Sequence, residues 1–152
     1  MLIKLCRISF ILLLMSPSFS AMAQKRPVSL NHVAITVQDL AKSTAFYKTI
    51  IQLDSIPEPF KDGKHSWFKV GEHSQFHIIE DKRERYTPFK GYHICFSVAS
   101  IDNFVATLKK ANINYEDAVG KPNTVTVRAD GVKQVYIQDP DGYWLEINDD
   151  PY

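Results

Sequence analysis

Four side chains able to ligate a metal stand on strand-like stretches of this chain. They are His32 in 31–37, His77 in 75–79, His93 in 92–98 and Glu146 in 144–148. Three imidazoles and one carboxylate suit Zn, Ni, Fe(II) or Mn(II) better than Ca, which takes an all-oxygen shell. A single histidine on a strand is more often a hydrogen-bonded core residue than a ligand. What raises these four above that reading is their arrangement. Asn-His-Val-Ala-Ile-Thr-Val at 31–37 aligns position for position with Tyr-His-Ile-Cys-Phe-Ser-Val at 92–98. Phe-His-Ile at 76–78 aligns with Leu-Glu-Ile at 145–147. The ligand candidates therefore form two repeat-related pairs, His32 with His93 and His77 with Glu146. His65 and His73 have no such counterpart and are left outside the set.

The elements that must position them follow from alternation and turn chemistry. Val33, Ile35 and Val37 form one apolar face, Phe76 and Ile78 a second, Ile94, Phe96 and Val98 a third, and Leu145 and Ile147 a fourth. Strand period puts every ligand candidate on the opposite, more polar face. Asp39 and Ser100 are N-cap residues for helices beginning at Leu40 and Ile101. The second helix carries Ile101, Phe104, Val105 and Leu108 at the spacing of a buried stripe. Short strands are expected at 53–57, an edge because of Pro57, and at 65–70 and 132–138. One broken strand is expected at 113–128. The charged stretch 81–90 is read as a solvated connector. Asp139-Pro140-Asp141-Gly142 is a type I turn leading into the last strand. Each half is thus strand, helix and three strands. The fold class is α+β, with two βαβββ units at about 30–80 and 91–149 forming a cupped mixed sheet and helices on its outer face.

Lys4 and Arg7, the apolar run 8–15 and the small residues Ala21 and Ala23 have the order of a secretory signal peptide. Residues 1–23 are expected to be removed, leaving a domain over 24–152 that is periplasmic or secreted and free of the membrane. The 18 basic and 17 acidic residues nearly cancel, so nothing in the charge favours nucleic acid. Cys95 would then be alone. It makes no internal disulfide and is expected to pack as a small hydrophobe.

The segments N-H-V-A-I-T-V-Q-D-L, Q-F-H-I-I-E, G-Y-H-I-C-F-S-V and D-P-D-G-Y-W-L-E-I-N together resemble the vicinal oxygen chelate superfamily. That family includes glyoxalase I, fosfomycin-resistance proteins, extradiol dioxygenases and bleomycin-resistance proteins. The resemblance covers roughly residues 30–150. It implies a divalent metal held by His32, His77, His93 and Glu146, with Glu146 also moving a proton. It implies lyase or isomerase chemistry on a small substrate with vicinal oxygens. An Fe(II) dioxygenase using His32, His93 and Glu146, or an exported binding or drug-sequestering protein, are the alternatives. Alternation puts Trp67, Gln75, Gln134 and Tyr136 on the cup side as substrate walls. Arg128 and Lys133 are read as exposed hairpin charges that could also meet an anion. The family often completes its cup across a homodimer, with one ligand pair from each copy; closure within one chain is the alternative.

Overall fold

The computed structural model describes residues 28–83 and 89–151; the expected signal segment lies outside them. The chain runs β1 (His32–Val37), α1 (Leu40–Thr49), β2 (Asp54–Ile56), β3 (His65–Lys69) and β4 (Gln75–Glu80). It then repeats as β5 (Ile94–Ser97), α2 (Ile101–Lys110), β6 (Thr126–Val127), β7 (Lys133–Gln138) and β8 (Trp144–Asn148). Each unit makes its own four-stranded sheet, in the orders β1-β4-β3-β2 and β5-β8-β7-β6. The first and last strands of each unit pair in parallel, and the hairpin strands pair antiparallel. The expected broken strand at 113–128 reduces to β6 and to bridges from Glu116 to Pro122 and Tyr136. Gly120 and Asn123, both at positive φ, turn the chain between them.

The two sheets share one core. The inward residues of both units, together with Ile101, Phe104, Val105 and Leu108 of α2, form a single buried cluster. Phe76 of the first sheet meets Phe96 of the second edge-on at 5.9 Å. Strand period then dictates the rest: if the apolar faces look inward, the faces bearing the ligand candidates look outward. β1 and β5, which carry or adjoin His32 and His93, are edge strands. His32, Ala34, His93, Cys95 and Ser97 are all exposed.

The two helices are held differently. α2 buries its apolar stripe as expected, capped by Ser100. α1, capped by Asp39, buries only Ser43, Phe46 and Tyr47. Thr44 bonds Ser66 of β3 at 2.8 Å, and a further hold comes from the 139–142 turn of the other unit. Asp139 Oδ1 accepts the backbone N–H of Asp141 and Tyr143, each at 2.9 Å. Its Oδ2 accepts the Tyr47 hydroxyl at 2.7 Å. Asp141 accepts Gln38 N–H at 2.7 Å and the Ser43 hydroxyl at 2.8 Å. Gly142, at φ +86°, closes the turn with its N–H on Asp139 O at 3.1 Å. What reads locally as a turn is a clasp between the units. Burial pushes the Tyr47 hydroxyl and the Asp139 carboxyl above their ordinary pKa ranges.

Candidate metal centre

In the first unit the site is a stack of rings. Trp67 and His77 are cross-strand partners on β3 and β4. Their rings lie 3.8 Å apart at 9°. His32 stacks on the other side of His77 at 4.7 Å and 9°. His32 Nδ1 donates to Asn31 Oδ1 at 2.7 Å, which leaves Nε2 as its bare nitrogen. His77 Nε2 donates to Gln75 Oε1 at 2.9 Å. Burial first, and then the neighbouring His32 and His65, hold the His77 imidazole below its usual pKa. Trp67 Nε1–H is buried with no acceptor among the described residues.

In the second unit the site is a carboxylate held from several sides. Tyr136 donates its hydroxyl to Glu146 Oε2 at 2.5 Å. Gln134 Nε2 donates to the Tyr136 oxygen at 3.3 Å. Asn148 Nδ2 donates to Glu146 Oε1 at 3.2 Å. His93 Nε2 stands 3.2 Å from Glu146 Oε2. Burial opposes the Glu146 charge. The hydrogen bonds from Tyr136 and Asn148 and the nearby His93 outweigh it, so the carboxyl titrates below its usual range. Burial and the facing Glu146 push the Tyr136 hydroxyl up.

The structure brings the four candidates together as two pairs, not as one cluster. Within this chain no three of them have ligand atoms within 4.8 Å of one another; among the described residues only Glu58, Asp62 and His65 do. Those carboxylates serve their own loop. Glu58 accepts the N–H of Phe60 and Lys61, and Asp62 accepts Lys64 N–H and His65 Nδ1. The second pair does fit a divalent ion. Two ligands on bonds of about 2.1 Å, at angles between octahedral and tetrahedral, stand about 3.0–3.4 Å apart, and the His93–Glu146 separation lies in that range.

Trp67, Gln75, Gln134 and Tyr136 all stand on the ligand-bearing faces. Gln75 and Gln134 are engaged there with His77 and Tyr136. Arg128 pairs with Asp130, and Lys133 with Asp102 at 2.7 Å, as surface charges do. Cys95 departs from expectation. It is exposed on the polar face and takes a contact from Asn148 Nδ2 at 3.1 Å, because the inward positions of β5 belong to Ile94 and Phe96. Burial of its sulfur and the neighbouring Glu146 push its thiol up to about 12, which makes it a poor nucleophile. Sequence reasoning also missed Lys90. Placed in the solvated connector, it is in fact half-buried against the second unit. Asn148 could have been found by its period-two spacing from Glu146. Lys90 carries no such signal.

A family model described as the Glyoxalase/Bleomycin resistance protein/Dioxygenase superfamily matches residues 29–147. The uncharacterized protein YaeR of Escherichia coli strain K12 is 30% identical over 128 residues, covering 77% of this chain and 92% of its own. The metallothiol transferase FosB of Staphylococcus epidermidis is 27% identical over 126 residues, covering 79% and 80%. Among solved structures, the oxidase ChaP-H1 superposes with a TM-score of 0.68 at 25% identity, covering 83% of this chain and 98% of its own. With its paired βαβββ units and this match over most of its length, the chain belongs to the Glyoxalase/Bleomycin resistance protein/Dioxygenase superfamily.

Proposed function

We propose that the chain is a metal-dependent lyase or isomerase acting on a small substrate with vicinal oxygens, and that two copies build each site. His32 and His77 of one copy and His93 and Glu146 of the other would hold a divalent ion. The observation that carries this reading is that the candidates form two separate pairs, one on each sheet, on the faces turned away from the shared core. A bound divalent ion would supply Lewis-acid stabilisation of negative charge on substrate oxygen. The chain's own residues do the rest. Glu146 Oε2 is held by Tyr136 and faces His93, whereas Oε1 takes the weaker bond from Asn148, so Oε1 is the oxygen assigned to take a substrate proton. Trp67 and Tyr136 wall the substrate from the two sides. The proposal includes export, with a native N-terminus at Gln24 that N-terminal sequencing checks.

Mixing two inactive variants tests the shared site. One chain carries His32→Ala and His77→Ala; the other carries His93→Ala and Glu146→Gln. If sites are shared, each mixed dimer regains one intact site, and metal content and activity return on mixing. If each cup closes within one chain, every site keeps a damaged half and nothing returns. A second reading, an Fe(II) dioxygenase, is favoured by the likeness to the oxidase ChaP-H1. Identifying the metal in the purified native protein separates the two, since only the dioxygenase needs a redox-active ion.

A further inference from the structure

Lys90 is where the charged connector rejoins the fold, three residues before His93. Its ammonium donates to Glu116 Oε1 at 2.6 Å and to the carbonyl of Asp117 at 2.8 Å. It also stands 4.7 Å from the Tyr136 ring centroid and 5.1 Å from that of Trp144. An ammonium over two aromatic faces, with a carboxylate beside it, is held in place from several sides. Tyr136 of β7 lies directly across from Glu146, and Trp144 lies two residues before it on β8. The backbone here is a hydrogen-bonded turn, in which Phe89 O accepts Tyr92 N–H at 2.8 Å. This turn aims the Lys90 carbonyl at His93 Nδ1, 3.0 Å away. A carbonyl can only accept, so Nδ1 presents its N–H to Lys90, and Nε2 is the nitrogen turned toward Glu146, whose carboxylate also accepts.

The other unit shows what this replaces. His32 Nδ1 is fixed by the side chain of its own neighbour, Asn31. The repeat-equivalent of Asn31 is Tyr92, which is 75% exposed and offers His93 no carboxamide oxygen. The second unit lacks that local acceptor, and the Lys90 carbonyl stands at the corresponding nitrogen instead.

We infer that Lys90 is a positioning residue for His93: its side-chain anchor on Glu116, Tyr136 and Trp144 holds the carbonyl that takes the His93 Nδ1–H and so aims Nε2 at Glu146. The metal consequence rests on the proposed role of His93 as a ligand; the hydrogen bond at Nδ1 belongs to the metal-free chain. Partners that orient a ligating histidine typically govern metal affinity by about 10–100-fold.

The test uses the full folded domain and the variants Lys90→Met, Lys90→Arg and Asn31→Ala. Nitrogen-resolved NMR of the imidazole rings, without metal, reports whether Nδ1 keeps a hydrogen-bonded proton protected from exchange with water. Competition titration with Zn(II) reports affinity. Parent and K90R are expected to show a protected Nδ1–H at His93, and K90M to lose that protection with His32 unchanged. N31A should do the reverse. K90M should bind Zn(II) about 10–100-fold more weakly, with K90R restoring most of the loss. A parent-like His93 Nδ1–H in K90M overturns the inference, as does an equal disturbance of His32 and His93, which would mean general loosening. If the parent takes up no Zn(II), the metal reading fails, and the Nδ1–H comparison still decides the role of Lys90. If K90M does not fold, Glu116→Gln weakens the same anchor from its other end and carries the same expectations.

Discussion

The two units share a topology and differ in how each holds its ligand pair. In the first, two imidazoles and an indole stack face to face, and the local partners are the carboxamides of Asn31 and Gln75. In the second, a carboxylate is fixed by a tyrosine, an asparagine and a histidine, and the histidine is set by a lysine outside the strand. The repeat thus kept the positions and changed the chemistry. Aromatic stacking orients rings without placing charge, whereas the second unit builds a polarised carboxylate. Both depend on a core that neither unit completes alone, since Phe76 and Phe96 meet across it.

The largest test of that dependence is Phe76→Ala. Removing a buried ring should cost roughly 3–5 kcal/mol. Because the core is common, both units should still melt together, as followed by near-ultraviolet circular dichroism and urea titration. Two separated transitions would show that the units fold independently. Next in size, His93→Ala and Glu146→Gln should each weaken metal binding by more than about a hundredfold, above roughly 2.7 kcal/mol, while keeping the parent's far-ultraviolet spectrum. His65→Ala should keep the parent's metal content. Equal loss in all three would return the repeat-related histidines to the status of structural residues. The smallest effect sharpens the contrast between imidazole and carboxylate in the metal-free chain. His77 and Glu146 both titrate below their ordinary values when folded. Both therefore add stability at neutral pH that is lost on acidification. The loss begins below about 6.5 for the imidazole and below about 4.3 for the carboxylate. Urea midpoints measured against pH should lose the first fall in His77→Gln and the second in Glu146→Gln.

Much of this was legible because it rests on short-range rules. Period-two alternation located His32, His77, His93 and Glu146 on the polar faces, and the repeat paired them. The i, i+3, i+4, i+7 stripe and Ser100 defined α2 to the residue at its start. What escaped depends on contacts distant in sequence. The 139–142 stretch shows turn grammar, but its grip on Ser43 and Tyr47 exists only once the units have packed. Lys90 looked like one more charge in a polar connector, because nothing nearby announces the Glu116 carboxylate or the two rings. Cys95 differs in another way. Alternation with Ile94 and Phe96 put it on the polar face, where it stands, but residue type alone suggested a packed small hydrophobe and it is exposed.

The clasp has a consequence for the order of events during synthesis. The bonds from Tyr47 to Asp139 and from Ser43 to Asp141 span 92 and 98 residues. α1 emerges from the ribosome early, but most of its polar anchorage is made of residues translated near the end. Until then the helix has only a thin apolar face to hold it, and long-range closure of this kind is slow to form. A pause or truncation before Asp139 is therefore expected to leave α1 more open to proteolysis than in the full chain.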